Sequence, residues 1–119
     1  MPFIWREYLV LAQHLQTYVS PVFSQEAAFR CAVSRSYYAA FCHARNYARA
    51  HQGFIPSNKA DDHGRVRLHF KTRGEITGAM SLDRLRQWRN QCDYDDTISG
   101  LTVLFSSAIA EAQKIFNRL

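Results

Sequence analysis

The stretch from Ser24 to His51 constrains this chain more than any other. It lies between Ser20-Pro21 and a break at Gly53 and Pro56, where proline and glycine interrupt regular backbone. Ser24 suits a helix cap and Gln25 and Glu26 suit a first turn, so the pattern predicts one long helix. One face carries Phe29, Val33, Tyr37, Ala40, Phe41, Ala44 and Tyr47. The opposite face carries Cys31, Arg35, Tyr38, Cys42, Arg45 and Arg49, and at Tyr38 and Cys42 it is apolar enough to be partly covered. A helix with apolar residues on both sides is a central one. Ala28, Ala32, Ala39 and Ala50 are good helix formers, and the small ones between the two faces let a neighbour approach closely.

The remaining chain supplies partners for this spine. From Pro2 to Val19, the residues Trp5, Leu9, Ala12, Leu15 and Val19 recur at three- and four-residue steps, which predicts an amphipathic helix ended by Ser20-Pro21. Between Lys59 and Gly78, Val66, Leu68 and Phe70 alternate as in a strand, but no second strand is available to pair with it. A short helix in a long connection, ended by Gly74 and Gly78, is the expected form. Ser81 is a reasonable cap for a fourth helix closed by Asp95 and Asp96, with Leu82, Leu85 and Cys92 on its apolar side and Trp88 flanking them. Thr97 or Ser99 then starts a last helix, whose apolar stripe runs from Leu101 through Phe105, Ala108, Ala112 and Ile115 to Leu119. The expected fold is all-α: one antiparallel bundle of four to five helices spanning residues 1–119.

Composition removes several function classes. With 119 residues, 47% of them hydrophobic, one core is affordable without covalent staples. No run approaches a membrane span, and the start, MPFIWREYLVLAQ, lacks the pattern of a signal peptide, so a cytoplasmic protein is expected. Cys31, Cys42 and Cys92 are odd in number and lie in helical patterns, which argues against a disulfide framework. The five histidines form no HxxxH or HExxH pair, and Asp61-Asp62-His63 reads either as a metal site or, more plainly, as a solvated loop or helix start. No metal and no cofactor are expected. The net charge of +5 is unevenly placed: Arg65, Arg67, Lys71, Arg73, Arg84, Arg86 and Arg89 face only Glu75 and Asp83 in that interval. Such an excess suits a polyanionic partner if the fold gathers it on one surface, and mere solubility if it does not.

Chemistry concentrates in SLDRLRQWRNQCDYDD, Ser81 to Asp96. On a helix, Arg86, Arg89, Asn90 and Asp93 fall within an arc of roughly 100° at the edge of the apolar side. Arginine's planar fork stays charged and fits two phosphate oxygens at once. Asn90 is able to orient a ribose hydroxyl or water, and Asp93 or Tyr94 to handle a proton. The same spacing reads equally as structure, because Arg89 and Asp93 stand four apart like an ordinary surface ion pair. On the spine helix, Tyr37 belongs to the core face, whereas Tyr38 joins Arg35 and Arg45 and can stack on a base or pack at an interface.

Two stretches resemble a known family. RCAVSRSYYAAFCHARNYA, Arg30 to Ala48, is similar to the central helix of the small bacterial and archaeal branch of the HEPN superfamily, whose typical text is close to SRxYYAAFH. LRQWRNQCDYDD, Leu85 to Asp96, resembles that branch's later helix, where an arginine stands a few residues before an Asp-Tyr pair. The resemblance covers about a quarter of the chain and implies a bundle that forms a homodimer, with two copies of the later helix lining one cleft. In the catalytic branches that cleft cuts RNA without a metal through an RNxxxH type motif. Arg89 and Asn90 match its first two positions, and its histidine position falls on Tyr94. An unperturbed tyrosine titrates near 10 and is a poor base at neutrality, and a carboxylate such as Asp93 is a weak one unless burial raises its pKa.

The resemblance therefore implies a dimeric module that binds a nucleotide, RNA or a protein partner. It further implies a two-gene toxin-antitoxin or defence module with a small nucleotidyltransferase. One alternative is a metal-independent ribonuclease using Arg89 and Asn90 with Asp93 or Tyr94; another is a scaffold bundle without a ligand. On the binding reading, the phosphate or nucleic-acid contacts fall to Arg86, Arg89, Arg35, Tyr38 and Arg45.

Overall fold

The computed structural model describes residues 2–119. Five helices follow one another: α1 (Arg6–His14), α2 (Gln25–His51), α3 (Asp62–Thr72), α4 (Ile76–Tyr94) and α5 (Leu101–Arg118). The described residues contain no strand, and none of their helices is long and apolar enough to cross a membrane. The stretch with strand-like alternation is α3, a helix in which Val66 and Phe70, four apart, are buried while Leu68 faces solvent.

α2 is the spine, packed by α1, α4 and α5 and touched by α3, which lies mainly on α4. Ser24 caps it as the sequence predicts, its hydroxyl accepting from the Ala27 N–H at 3.1 Å. Phe29, Val33, Tyr37, Ala40, Phe41 and Ala44 are all buried, and so are Ala28, Ala32, Ala39, Cys42 and Ala48, whereas Ala50 is exposed. The alanines keep side-chain thickness low on several sides at once, so three helices close on one axis. Phe29 meets Phe105 of α5 with ring centroids 4.6 Å apart, and Leu82 and Leu85 of α4 complete the core.

The expected boundaries shift at three places. α1 occupies Arg6–His14 rather than Pro2–Val19. Leu9 and Ala12 reach the core, but Val10, Leu11 and Val19 are exposed, Val19 at 87%. Of the stripe beyond His14, Leu15 still packs on the core but Val19 does not, and Thr17, Tyr18 and Val19 are weak helix formers. α4 begins at Ile76 rather than after Ser81, which is buried inside it. Glu75 takes the capping role, its carboxylate accepting from the Gly78 N–H at 3.3 Å and pairing with Arg118 of α5. Gly78 is therefore part of α4's first turn, not a stop. Gly74 does end α3, in a left-handed conformation with φ +83°. Finally, the N-cap position of α5 is filled by Gly100 rather than Thr97 or Ser99, again with positive φ.

Arg30 ties the spine to the end of α4. Its guanidinium donates to the carbonyl oxygens of Cys92 at 3.1 Å, Asp95 at 2.6 Å and Asp96 at 3.2 Å. Helix C-termini leave carbonyls without intrahelical partners, and α4 has no basic residue of its own in its last turn. Arg30→Ala removes three charge-assisted bonds and is expected to cost about 1.5–3 kcal/mol. Urea unfolding checks it, and an unchanged midpoint contradicts this account of the α4 terminus.

Candidate functional site

The helical packing brings Tyr38 of α2 against Arg89 of α4, with Arg35 of α2 on the same ring. The Arg89 guanidinium carbon lies 5.3 Å from the centre of the Tyr38 ring and 5.7 Å from that of Tyr94. Arg35 approaches Tyr38 at 5.2 Å and Tyr8 of α1 at 4.9 Å. One tyrosine ring thus carries two cations, an arrangement that aromatic quadrupoles favour. Tyr94 is 72% exposed, so that flank of Arg89 is open.

Within α4 the ordinary ion pair is also real. Arg89 Nε lies 2.8 Å from Asp93 Oδ2, and Arg89 Nη1 donates to Asn90 Oδ1 at 3.0 Å. The short Arg89–Asp93 contact lacks the alignment of a hydrogen bond, which leaves the Nε–H of Arg89 buried without an aligned acceptor. The Nε–H of Arg86 is in the same condition, although its Nη2 reaches Asp83 at 3.2 Å. Asp93 and Asn90 therefore serve first to hold Arg89 in place.

Most cations of the basic interval are paired with carboxylates. Arg65 pairs with Asp62, Arg67 and Arg86 share Asp83, Arg84 meets Glu111, and Arg89 meets Asp93. Five of the seven basic residues from Arg65 to Arg89 thus have a carboxylate beside them, and Lys71 and Arg73 have none among the described residues. Arg35 and Arg45, both on α2, have no carboxylate partner among the described residues. Arg45 rests over Trp5 and Phe41, each at 5.9 Å, and lines a cleft of about 410 Å³ with Tyr38, Lys59 and His63. Of the predicted residues, Arg89 touches Tyr38, Asn90, Asp93 and Tyr94, and Arg35 joins the group through the Tyr38 ring. Arg45 lies beside them, while Arg86 is engaged with Asp83.

His63, from the first turn of α3, is the participant that spacing alone does not reveal. Its ring stacks on Phe41 at 4.2 Å with planes 12° apart, and its Nδ1 meets the hydroxyl of Tyr37. Burial, and then the positive charges of Arg89 and Arg67, hold its pKa below the usual histidine value against the opposing pull of Asp62. Burial likewise raises the Tyr37 hydroxyl well above the usual tyrosine range, despite Arg67, Arg89 and Arg86 nearby. The sequence puts His63 at a helix start in the connection before α4, from which it reaches the cleft only through folding.

Asp62 has a structural role. Its carboxylate accepts from the backbone N–H groups of Ser57 and Asn58 at 3.0–3.1 Å, from the Ser57 hydroxyl, and from Arg65 at 2.6 Å. It is buried rather than solvated, and it fixes the turn in which Asn58 takes a left-handed conformation. Among the described residues no group of three His, Cys, Asp or Glu side chains is placed to hold a metal. The two buried thiols offer little nucleophilicity: burial raises Cys42 and pushes Cys92 up to about 11.

Asp62 carries a pH signature. The Ser57 hydroxyl above all, joined by the Ser57 N–H, Arg65 and the Asn58 N–H, overcomes burial and holds its carboxyl well below the ordinary range. A depressed folded pKa stabilises fully above the ordinary aspartate value of about 3.9 and is lost as pH falls below it. Wild type is therefore expected to exceed Asp62→Asn in stability at pH 6 and to lose that advantage progressively below about pH 4. Urea midpoints at several pH values test this, and a constant difference excludes it.

In comparisons with protein-family models, curated proteins and solved structures, nothing matches this chain.

Proposed function

We propose that the chain is a HEPN-like module that dimerises and binds a phosphate-bearing ligand, RNA or a nucleotide, on the surface centred on Arg89, Tyr38, Arg35 and Arg45. The observation that carries this reading is the placement of Arg35 and Arg45. Arg35 lies on the Tyr38 ring that also receives Arg89, Arg45 lines a cleft with the same tyrosine, and neither Arg35 nor Arg45 has a carboxylate partner among the described residues. Guanidinium groups supply phosphate contacts, and a tyrosine face between them supplies a stacking surface for a base. The resemblance of Arg30–Ala48 and Leu85–Asp96 to HEPN helices supports the same site and adds the expectation of a two-fold cleft. It also supports a small nucleotidyltransferase as the partner in a two-gene module.

Binding is better supported than cleavage. Asp93 is occupied by Arg89, and the position of the motif histidine holds an exposed tyrosine. A single-stranded RNA is expected to bind with affinity that falls steeply between about 50 and 200 mM salt, because several phosphates are neutralised. Arg89→Ala should weaken binding roughly tenfold or more, and Arg35→Ala should weaken it and reduce the salt slope by about one. Fluorescence anisotropy reads both. A salt-independent affinity, or an Arg89→Ala protein that binds as wild type does, removes this reading. Cleavage of a structured RNA in EDTA by wild type, abolished in Arg89→Ala, would instead establish the ribonuclease.

A further inference from the structure

The surface just described contains a histidine with one nitrogen tied down and the other free. Tyr37 is 1% exposed, and its hydroxyl has no partner except His63 Nδ1. A buried hydroxyl with a single neighbour donates to it, since otherwise its proton is left without an acceptor. Burial keeps that hydroxyl protonated. A neutral imidazole carries one N–H, so an accepting Nδ1 places the proton on Nε2. Nε2 makes no hydrogen bond within the protein and remains accessible, and the ring borders the cleft shared with Tyr38, Arg45 and Lys59.

We propose that His63 presents its Nε2–H to a phosphate oxygen of the ligand held by Arg89, as a fixed neutral donor oriented by Tyr37. This inference rests on the phosphate-binding reading above and assigns to that site a residue from a third helix. The stacking on Phe41 holds the ring plane, so the direction of the donor is set before a ligand arrives. The charged and titratable groups around the ring are Tyr37, Tyr38 and Arg45 from α2, Asp62 and Arg67 from α3, Lys59 from the preceding loop, and Arg89 from α4. Asp62, the one acid, is already engaged by Ser57, Asn58 and Arg65. The surroundings thus disfavour an imidazolium and favour an anion. An arriving phosphate offsets those cations, so His63 takes up a proton at higher pH once ligand is bound. A nitrogen that already bears hydrogen is not a base, and so this geometry gives His63 a binding role and no part in removing a proton from a 2′-hydroxyl.

Long-range ¹H–¹⁵N correlation spectra of the full chain test the assignment directly. Free protein above neutral pH is expected to show His63 with Nε2 protonated and Nδ1 as acceptor. Titration with inorganic phosphate, and separately with a short single-stranded RNA, should shift the His63 nitrogen signals and move its titration midpoint upward. Equal shifts with both identify an isolated phosphate subsite, and a shift with RNA alone identifies a phosphodiester one; either supports the donor role. His63→Gln, which keeps a donor, should bind RNA within about twofold of wild type, and His63→Leu roughly tenfold more weakly. A proton found on Nδ1 overturns the proposal, whatever the variants do. Arg89-dependent RNA binding that leaves His63 unmoved overturns it alone and spares the binding reading. Absence of any RNA binding by wild type overturns both.

Discussion

Three helices can share one axis only if that axis is thin, and α2 meets the condition with alanine. Ala32, Ala39, Ala40, Ala44 and Ala48 are fully buried on different sides of the same helix, so α1, α4 and α5 lie close to its backbone. The larger side chains, Phe29, Val33, Tyr37 and Phe41, fill the spaces that remain. Interiors packed at crystal-like density leave no slack for extra methylenes, which makes these alanines as restrictive as the aromatics between them.

The same economy shapes the surface. Because α2 is covered almost all round, its polar residues emerge only in the seams between neighbouring helices. Arg35 emerges against α1 and Tyr38 under Arg89 of α4, while Arg45 emerges beside the loop that carries Lys59. Their guanidinium groups lie on aromatic rings, which keep the aliphatic stems dry and the charged ends accessible. Among the described residues, most of the other arginines, Arg30, Arg65, Arg67, Arg84, Arg86 and Arg118 among them, lie beside a carboxylate, whereas Arg35 and Arg45 do not.

What the sequence disclosed follows the reach of its periodicities. The spine, its cap at Ser24 and its buried face are visible in a 3.6-residue repeat, and so is the Arg89–Asp93 pair. The end of α1 is not, because the stripe from Trp5 to Val19 looks the same whether or not another helix covers its last residue. The start of α4 was hidden by Glu75, an uncommon cap, and by Gly78, a residue whose usual reading is a break. Contacts between helices are hidden altogether. Tyr37 and His63, or Tyr38 and Arg89, are joined by packing geometry that no local spacing encodes.

The anchoring of α4 has an electrostatic side as well as a mechanical one. A helix gathers partial negative charge at its carboxyl end, and Arg89, Tyr94 and the open flank between them lie in its last two turns. An anion approaching that end of a bare helix would be repelled. Arg30 sets a full positive charge against those carbonyls and offsets the partial negative charge of the helix end, to which Asp93, Asp95 and Asp96 add their own carboxylates. A residue of the spine thus sets much of the charge balance at the terminus of a different helix.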